Sequence, residues 1–187
     1  MKIIDILINS AQLLGLTKEI EVLETATEET ESEIFQEHSN IASLFNLIKF
    51  SIREICTNYA PMEAKKPITT TNKMFPVGDF ENFIRVHNVM KHEQIVRYKI
   101  LNRNIVVEED GDYIVTYASY PTILTIFEEI DFLQNFSPDV ITFGLCAYYS
   151  LAHGMFNEFE EFHEQYVERA ESLKCLKILE LPSRRWE

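Results

Sequence analysis

Ile105-Val106-Val107-Glu108-Glu109-Asp110-Gly111-Asp112-Tyr113-Ile114-Val115-Thr116-Tyr117 sets two β-branched and aromatic runs on either side of an Asp-Gly step. Such residues suit a pleated, half-buried surface, and Asp-Gly tolerates the positive φ of a tight hairpin turn. The spacing therefore predicts a hairpin closed at Asp110-Gly111. Upstream, Phe83-Ile84-Arg85-Val86-His87-Asn88-Val89 and Ile95-Val96-Arg97-Tyr98-Lys99-Ile100 alternate apolar and polar residues less regularly. Together they give an antiparallel meander of about four short strands, ended by Pro121. Before it, residues 65–80 lack a helical period. Pro67-Ile68-Thr69-Thr70-Thr71 suits a short strand, and the segment is either an edge strand or a mobile loop with a job.

Helical patterns flank this region. Ile3, Ile4, Leu7, Ile8, Ala11 and Leu14 recur at i, i+3, i+4 spacing, and Gly15 supplies a stop. An acidic stretch from Glu19 to Glu37 follows, with Thr27 as a predicted helix cap. From there one long helix is expected to run to about Tyr59, carried by Ile34, Ile41, Leu44, Phe45, Ile48, Ile52 and Ile55 and closed by Pro61. Residues 123–132 resume a helical pattern. Ser137-Pro138-Asp139 opens another helix, with Ser as N-cap and Pro where its missing donor costs nothing. That helix should reach about His153 and stop at Gly154, and Asn157 then caps a last helix bearing Phe159, Phe162, Tyr166, Ala170 and Leu173. The expected class is α+β, mainly α: a helical bundle with an inserted antiparallel β-meander and an extended C-terminal arm. In domain terms this is a single helical domain over 1–178, a β insertion at about 65–120, and a docking arm over 179–187.

At 187 residues with 46% hydrophobic content, the chain can bury one sizeable core. Its formal charge of −13 disfavours direct DNA binding, because phosphate contacts need clustered cations. These occur only in scraps, Lys65-Lys66, Lys91 and Arg184-Arg185. An acidic wall can still serve DNA by letting a duplex slide past without sticking. Cys56, Cys146 and Cys175 are too widely spaced for a paired-thiol motif and read as reduced thiols. Asp5 interrupts what would be a signal peptide's apolar region, and no membrane-length apolar run occurs. A soluble protein made in the cytoplasm is expected.

Reactive chemistry leaves few traces. There is no Gly-rich phosphate loop, no Gly-x-Ser-x-Gly and no His-Glu-x-x-His. His163 with Glu160 and Glu164 is the best metal-like grouping, but it sits among Glu158, Glu161, Glu168 and Glu171 on what reads as a solvated acidic face. His87 and His92 straddle a predicted turn, and His153 suits the negative end of a helix. The expectation is no enzyme, no catalytic residue, no cofactor and no metal. The arm stands out instead. Leu179, Leu181, Pro182, Arg184, Arg185 and Trp186 place an apolar anchor, a straightening proline, two bidentate donors and a large ring in a short segment, and Trp and Arg dominate binding hot spots.

The element order resembles the head-to-tail adaptor (connector) proteins of tailed bacteriophages. The resemblance rests on Ile4-Asp5-Ile6-Leu7-Ile8-Asn9-Ser10-Ala11-Gln12-Leu13-Leu14-Gly15-Leu16, the long second helix closing near Asn58-Tyr59, and Val115-Thr116-Tyr117-Ala118-Ser119-Tyr120-Pro121. Ser137-Pro138-Asp139-Val140-Ile141-Thr142-Phe143-Gly144-Leu145-Cys146-Ala147-Tyr148-Tyr149 and Leu181-Pro182-Ser183-Arg184-Arg185-Trp186 complete it. It implies a virion neck protein that forms a homo-oligomeric ring, commonly a dodecamer, below the portal. DNA would pass through the channel without sequence-specific binding, and the opposite end would receive the downstream tail or nozzle protein. Leu181, Pro182, Arg184, Arg185 and Trp186 occupy the matching arm and are the expected portal contacts. Repulsion between acidic neighbours would be offset by interface cations such as Lys49, Arg53, Arg85 and Arg97. The residues by themselves also fit another neck or tail-completion protein, or a non-viral acidic protein-binding module.

Overall fold

The computed structural model describes residues 2–130 and 137–178, with side chains to residue 173. The chain is a mixed α and antiparallel β protein. Among the described residues it comprises α1 (Ile3–Leu13), α2 (Thr17–Glu24), α3 (Glu31–Glu37), α4 (Ser39–Asn58), β1 (Met62–Thr70), β2 (Met74–Pro76), β3 (Phe83–Lys91), β4 (Gln94–Ile95), β5 (Tyr98–Leu101), β6 (Asn104–Val107), β7 (Gly111–Ser119), α5 (Asp139–Ala152) and α6 (Phe156–Ile178). It divides into two compact units: Met1–Ile55 with Ile123–Glu187, and Cys56–Thr122. The insertion expected at about 65–120 is thus a compact unit in its own right, starting nine residues earlier. Among the described residues no helix is long and apolar enough to cross a membrane. The expected C-terminal arm lies outside the described residues.

In the helical unit, Ile3, Ile6, Leu7 and Ala11 of α1 are buried together with Ile41, Leu44, Phe45, Ile48, Ile52 and Ile55 of α4, the stripes that the 3.6-residue period marks. Gly15 at φ 70 and Gly154 at φ 72 end α1 and α5. In each case the next amide reaches back five residues, Leu16 to Ala11 at 2.9 Å and Met155 to Ser150 at 2.9 Å, a closure that needs a left-handed residue between. α5 begins at Asp139 with Pro138 in the N-cap position, one residue later than the expected Ser137 cap, whose Oγ accepts the Asp139 amide at 3.3 Å from outside the helix.

Four more helical expectations change. The single long helix is two, α3 and α4, separated by His38 at φ −115, ψ 84. The cap moves from Thr27 to Thr30, whose hydroxyl bonds back to the Thr27 carbonyl at 3.1 Å and accepts its amide at 3.0 Å, a local turn that competes with helix. Residues 123–130 form no helix and hold one turn, although Ile123, Ile126 and Ile130 are buried at helix-like spacing; the rest of the expected 123–132 helix lies outside the described residues. Their carbonyls have another use: Ile126 and Glu128 accept the Ile4 and Ile3 amides at 2.8 and 3.0 Å, satisfying donors that open α1 and have no partner within it. Lastly, α6 begins at Phe156, one residue before the expected cap Asn157.

The β unit holds two antiparallel sheets, ordered β1-β7-β3-β4 and β2-β6-β5. Its core is Phe75, Phe80, Val89, Ile105, Val107, Tyr113, Val115 and Tyr117. The Asp110-Gly111 hairpin is not formed. β6 and β7 lie in different sheets; Gly111, at φ 137, pairs with Thr70, and Asp110 Oδ1 accepts the Lys73 amide at 2.7 Å. The two-residue turns are instead His92-Glu93, at φ 49 and 64, and Asn102-Arg103, at φ 48 and 62. Both central residues are left-handed in each, the type I′ geometry that suits twisted strands. Antiparallel pairing therefore holds throughout, while the succession of a simple meander does not: β7 inserts between β1 and β3. The undecided segment before it contains β1, an outer strand nine residues long, where Pro67 is tolerated because an outer strand needs only one row of donors.

Candidate functional site

α5 and α6 form the best-defined platform of the helical unit. Gly144 of α5 faces Tyr166 of α6, and a Cβ at residue 144 would lie 3.0 Å from the ring, so the two helices approach as closely as glycine allows. Tyr166 is 1% exposed, and its hydroxyl donates to Glu54 Oε2 of α4 at 2.9 Å. The Tyr148 hydroxyl of α5 donates to the same oxygen. One carboxylate thus ties three helices through charge-assisted hydrogen bonds. Arg169 lies 4.4 Å over the Phe143 ring, adding a cation–π contact between α5 and α6. This clamp is formed by residues far apart in sequence and was not legible there. The expected portal contacts Leu181, Pro182, Arg184, Arg185 and Trp186 follow directly after α6 and lie outside the described residues.

The other singled-out residues fall apart spatially. His163 packs its ring on Phe159 at 5.1 Å. His153 stacks on Tyr149 at 4.0 Å and donates from Nδ1 to the Tyr149 carbonyl at 2.9 Å, in keeping with the last turn of a helix. His87 is exposed on β3 and His92 occupies a turn. Among the described residues no three His, Cys, Asp or Glu side chains gather as metal ligands. Cys56 and Cys146 are both buried. Burial pushes the Cys146 thiol up to about 12, against a weak opposing contact with the Ser10 carbonyl. A thiol so displaced is a poor nucleophile at neutral pH.

Several cations of the β unit are engaged locally. Lys91 Nζ meets Glu109 Oε2 at 2.7 Å and the Asp110 carbonyl at 3.0 Å. The hydrogen bond to Glu109 raises the Lys91 pKa, and its counterpart lowers that of Glu109. Lys66 reaches the Asp79 carbonyl. Lys49, in the helical unit, lies 4.0 Å over Phe45. Arg85 and Arg97 are exposed.

Charge is divided unevenly between the units. Between residues 56 and 122, eight Lys and Arg balance eight Asp and Glu. The formal charge of −13 therefore falls entirely on the helical unit. Net charge of one sign opposes contact between like surfaces, so two helical units repel each other where two β units do not. No family model matches the chain, and no curated protein matches it significantly.

Proposed function

We propose that the protein is a structural head-to-tail adaptor of a tailed phage: a ring-forming neck component whose helical bundle sits below a portal. In this reading residues 181–186 dock on the portal, the downstream tail or nozzle protein binds the opposite end, and DNA passes through the ring. The observation that carries it is the α5–α6 platform. α6 spans 23 residues, about 35 Å at the helical rise, and leads directly into the segment holding Leu181, Pro182, Arg184, Arg185 and Trp186. Glu54 clamps this rod through Tyr166 and binds Tyr148 of α5 as well, so the helix that precedes that segment in sequence needs little ordering on binding. The acidic helical unit suits a channel wall that does not retain phosphate.

Deleting residues 181–187 is expected to leave the monomer folded and abolish docking on portal particles, read by pull-down and electron microscopy. Trp186→Ala alone should weaken docking by about 2 kcal/mol or more. A truncated chain that still decorates portals would refute the docking role. The charge segregation favours a second reading, an acidic module that binds basic proteins. Binding that disappears at high salt and ignores the 181–187 deletion would select it.

A further inference from the structure

The four-stranded sheet carries an apolar row on the face away from its core. Ile114 alternates along β7 with Tyr113 and Val115, which are core residues, so it stands on the opposite face. Register aligns Pro67 of β1 with Ile114, Ile114 with Met90 of β3, and Met90 with Ile95 of β4. One apolar residue from each strand thus forms a continuous line across the sheet. Ile114 is 49% exposed and Ile95 74% exposed. Pro67, Met90 and Ile114 line an open hollow of about 660 Å³ whose lining includes the carboxylates of Glu93 and Asp112.

The same unit has a complementary feature. The β5–β6 hairpin presents Ile100 and Leu101 at 51% and 55% exposure, accompanied by exposed Arg97, Lys99 and Arg103. Its type I′ turn at Asn102-Arg103 holds this tip in one geometry. One feature is apolar with acidic neighbours, the other apolar with basic neighbours, and both belong to the unit whose net charge is zero.

We propose that the β5–β6 hairpin tip of one copy seats on the Pro67–Ile114–Met90–Ile95 row of the next. Leu101 enters the hollow, and Lys99, on the same face of β5, together with Arg103 faces Glu93 and Asp112. This rests on the ring reading above and specifies the contact between its subunits. The contact is heterologous, joining two different surfaces, which is the type that closes rings. It also places attraction in the neutral unit, away from the mutually repelling helical units.

Two exposed substitutions test it by sedimentation of the full chain. Wild type should form species larger than 21.9 kDa. Ile114→Lys and Leu101→Lys should each sediment as monomers with unchanged thermal melts. A mixture of the two variants should recover a pair of chains but no larger species, because the first variant keeps an intact tip and the second an intact row. Variants that still assemble like wild type overturn the contact and leave the ring reading standing. Monomeric variants whose mixture yields no pairs overturn the heterologous seating. A wild type that remains monomeric both alone and on portal particles overturns the contact and the ring together.

Discussion

Cys146 shows how a single side chain couples the helical core to solvent conditions. The thiol ionises near 9.0 when free and near 12 in the fold. A group whose pKa is raised by folding stabilises the native state below the unfolded value and loses that contribution as pH climbs through the gap. Relative to Cys146→Ala, the wild type should lose about 2 kcal/mol between roughly pH 7.5 and roughly pH 10.5. Denaturant unfolding at the two pH values measures this difference, and equal slopes would mean the thiol ionises within the fold. The tyrosines that burial also shifts upward, Tyr117 and Tyr149, are common to both proteins and cancel. At this scale the sequence was readable where a residue acts on its own backbone, as at Gly15 and Gly154. It was silent on Cys146, Glu54 and Gly144, whose environments are built by residues up to 136 positions away.

Elements were legible where one period ran unbroken. α1, α4 and α6 emerge from their apolar stripes, whereas α2 offers only Leu23 as a buried residue and has too short a stripe to register. Residues 123–130 mimic a helical period, yet their backbone serves the start of α1, a demand that no local pattern encodes. The chemistry of the β turns was hidden for a similar reason: Asn102-Arg103 and His92-Glu93 adopt left-handed geometry without glycine, while the glycine at 111 is used for strand pairing. The β1–β2 turn depends on Thr70, 4% exposed, whose hydroxyl accepts the Met74 amide at 3.1 Å and donates to Asn72 Oδ1 or the Met74 carbonyl at 3.1 and 3.0 Å. Thr70→Val keeps the shape and removes those bonds. It should destabilise the β unit by about 1–3 kcal/mol, with amide exchange accelerated first at Asn72 and Met74.

For the molecule as a whole, the informative pattern is the separation of a charged helical unit from a neutral β unit with its own aromatic core. Composition showed the −13 total, and only the chain path showed where it resides. The β unit departs and returns through paired strands, Met62 of β1 lying opposite Ser119 of β7, where antiparallel partners are about 5 Å apart. Replacing residues 62–119 with a short flexible linker should therefore leave the helical unit folded, with its far-ultraviolet dichroism retained and a cooperative melt. Loss of that melt would show that the helices depend on the insert. The same pairing governs how the insert answers to pulling. Tension across its two ends loads Met62 against Ser119 first, then Glu63 against Ala118, then Ala64 against Tyr117, opening the ladder like a zipper instead of shearing all its bonds at once. Under traction along the polypeptide, this ladder yields rung by rung at low force, and its unravelled length acts as slack that spares the helices.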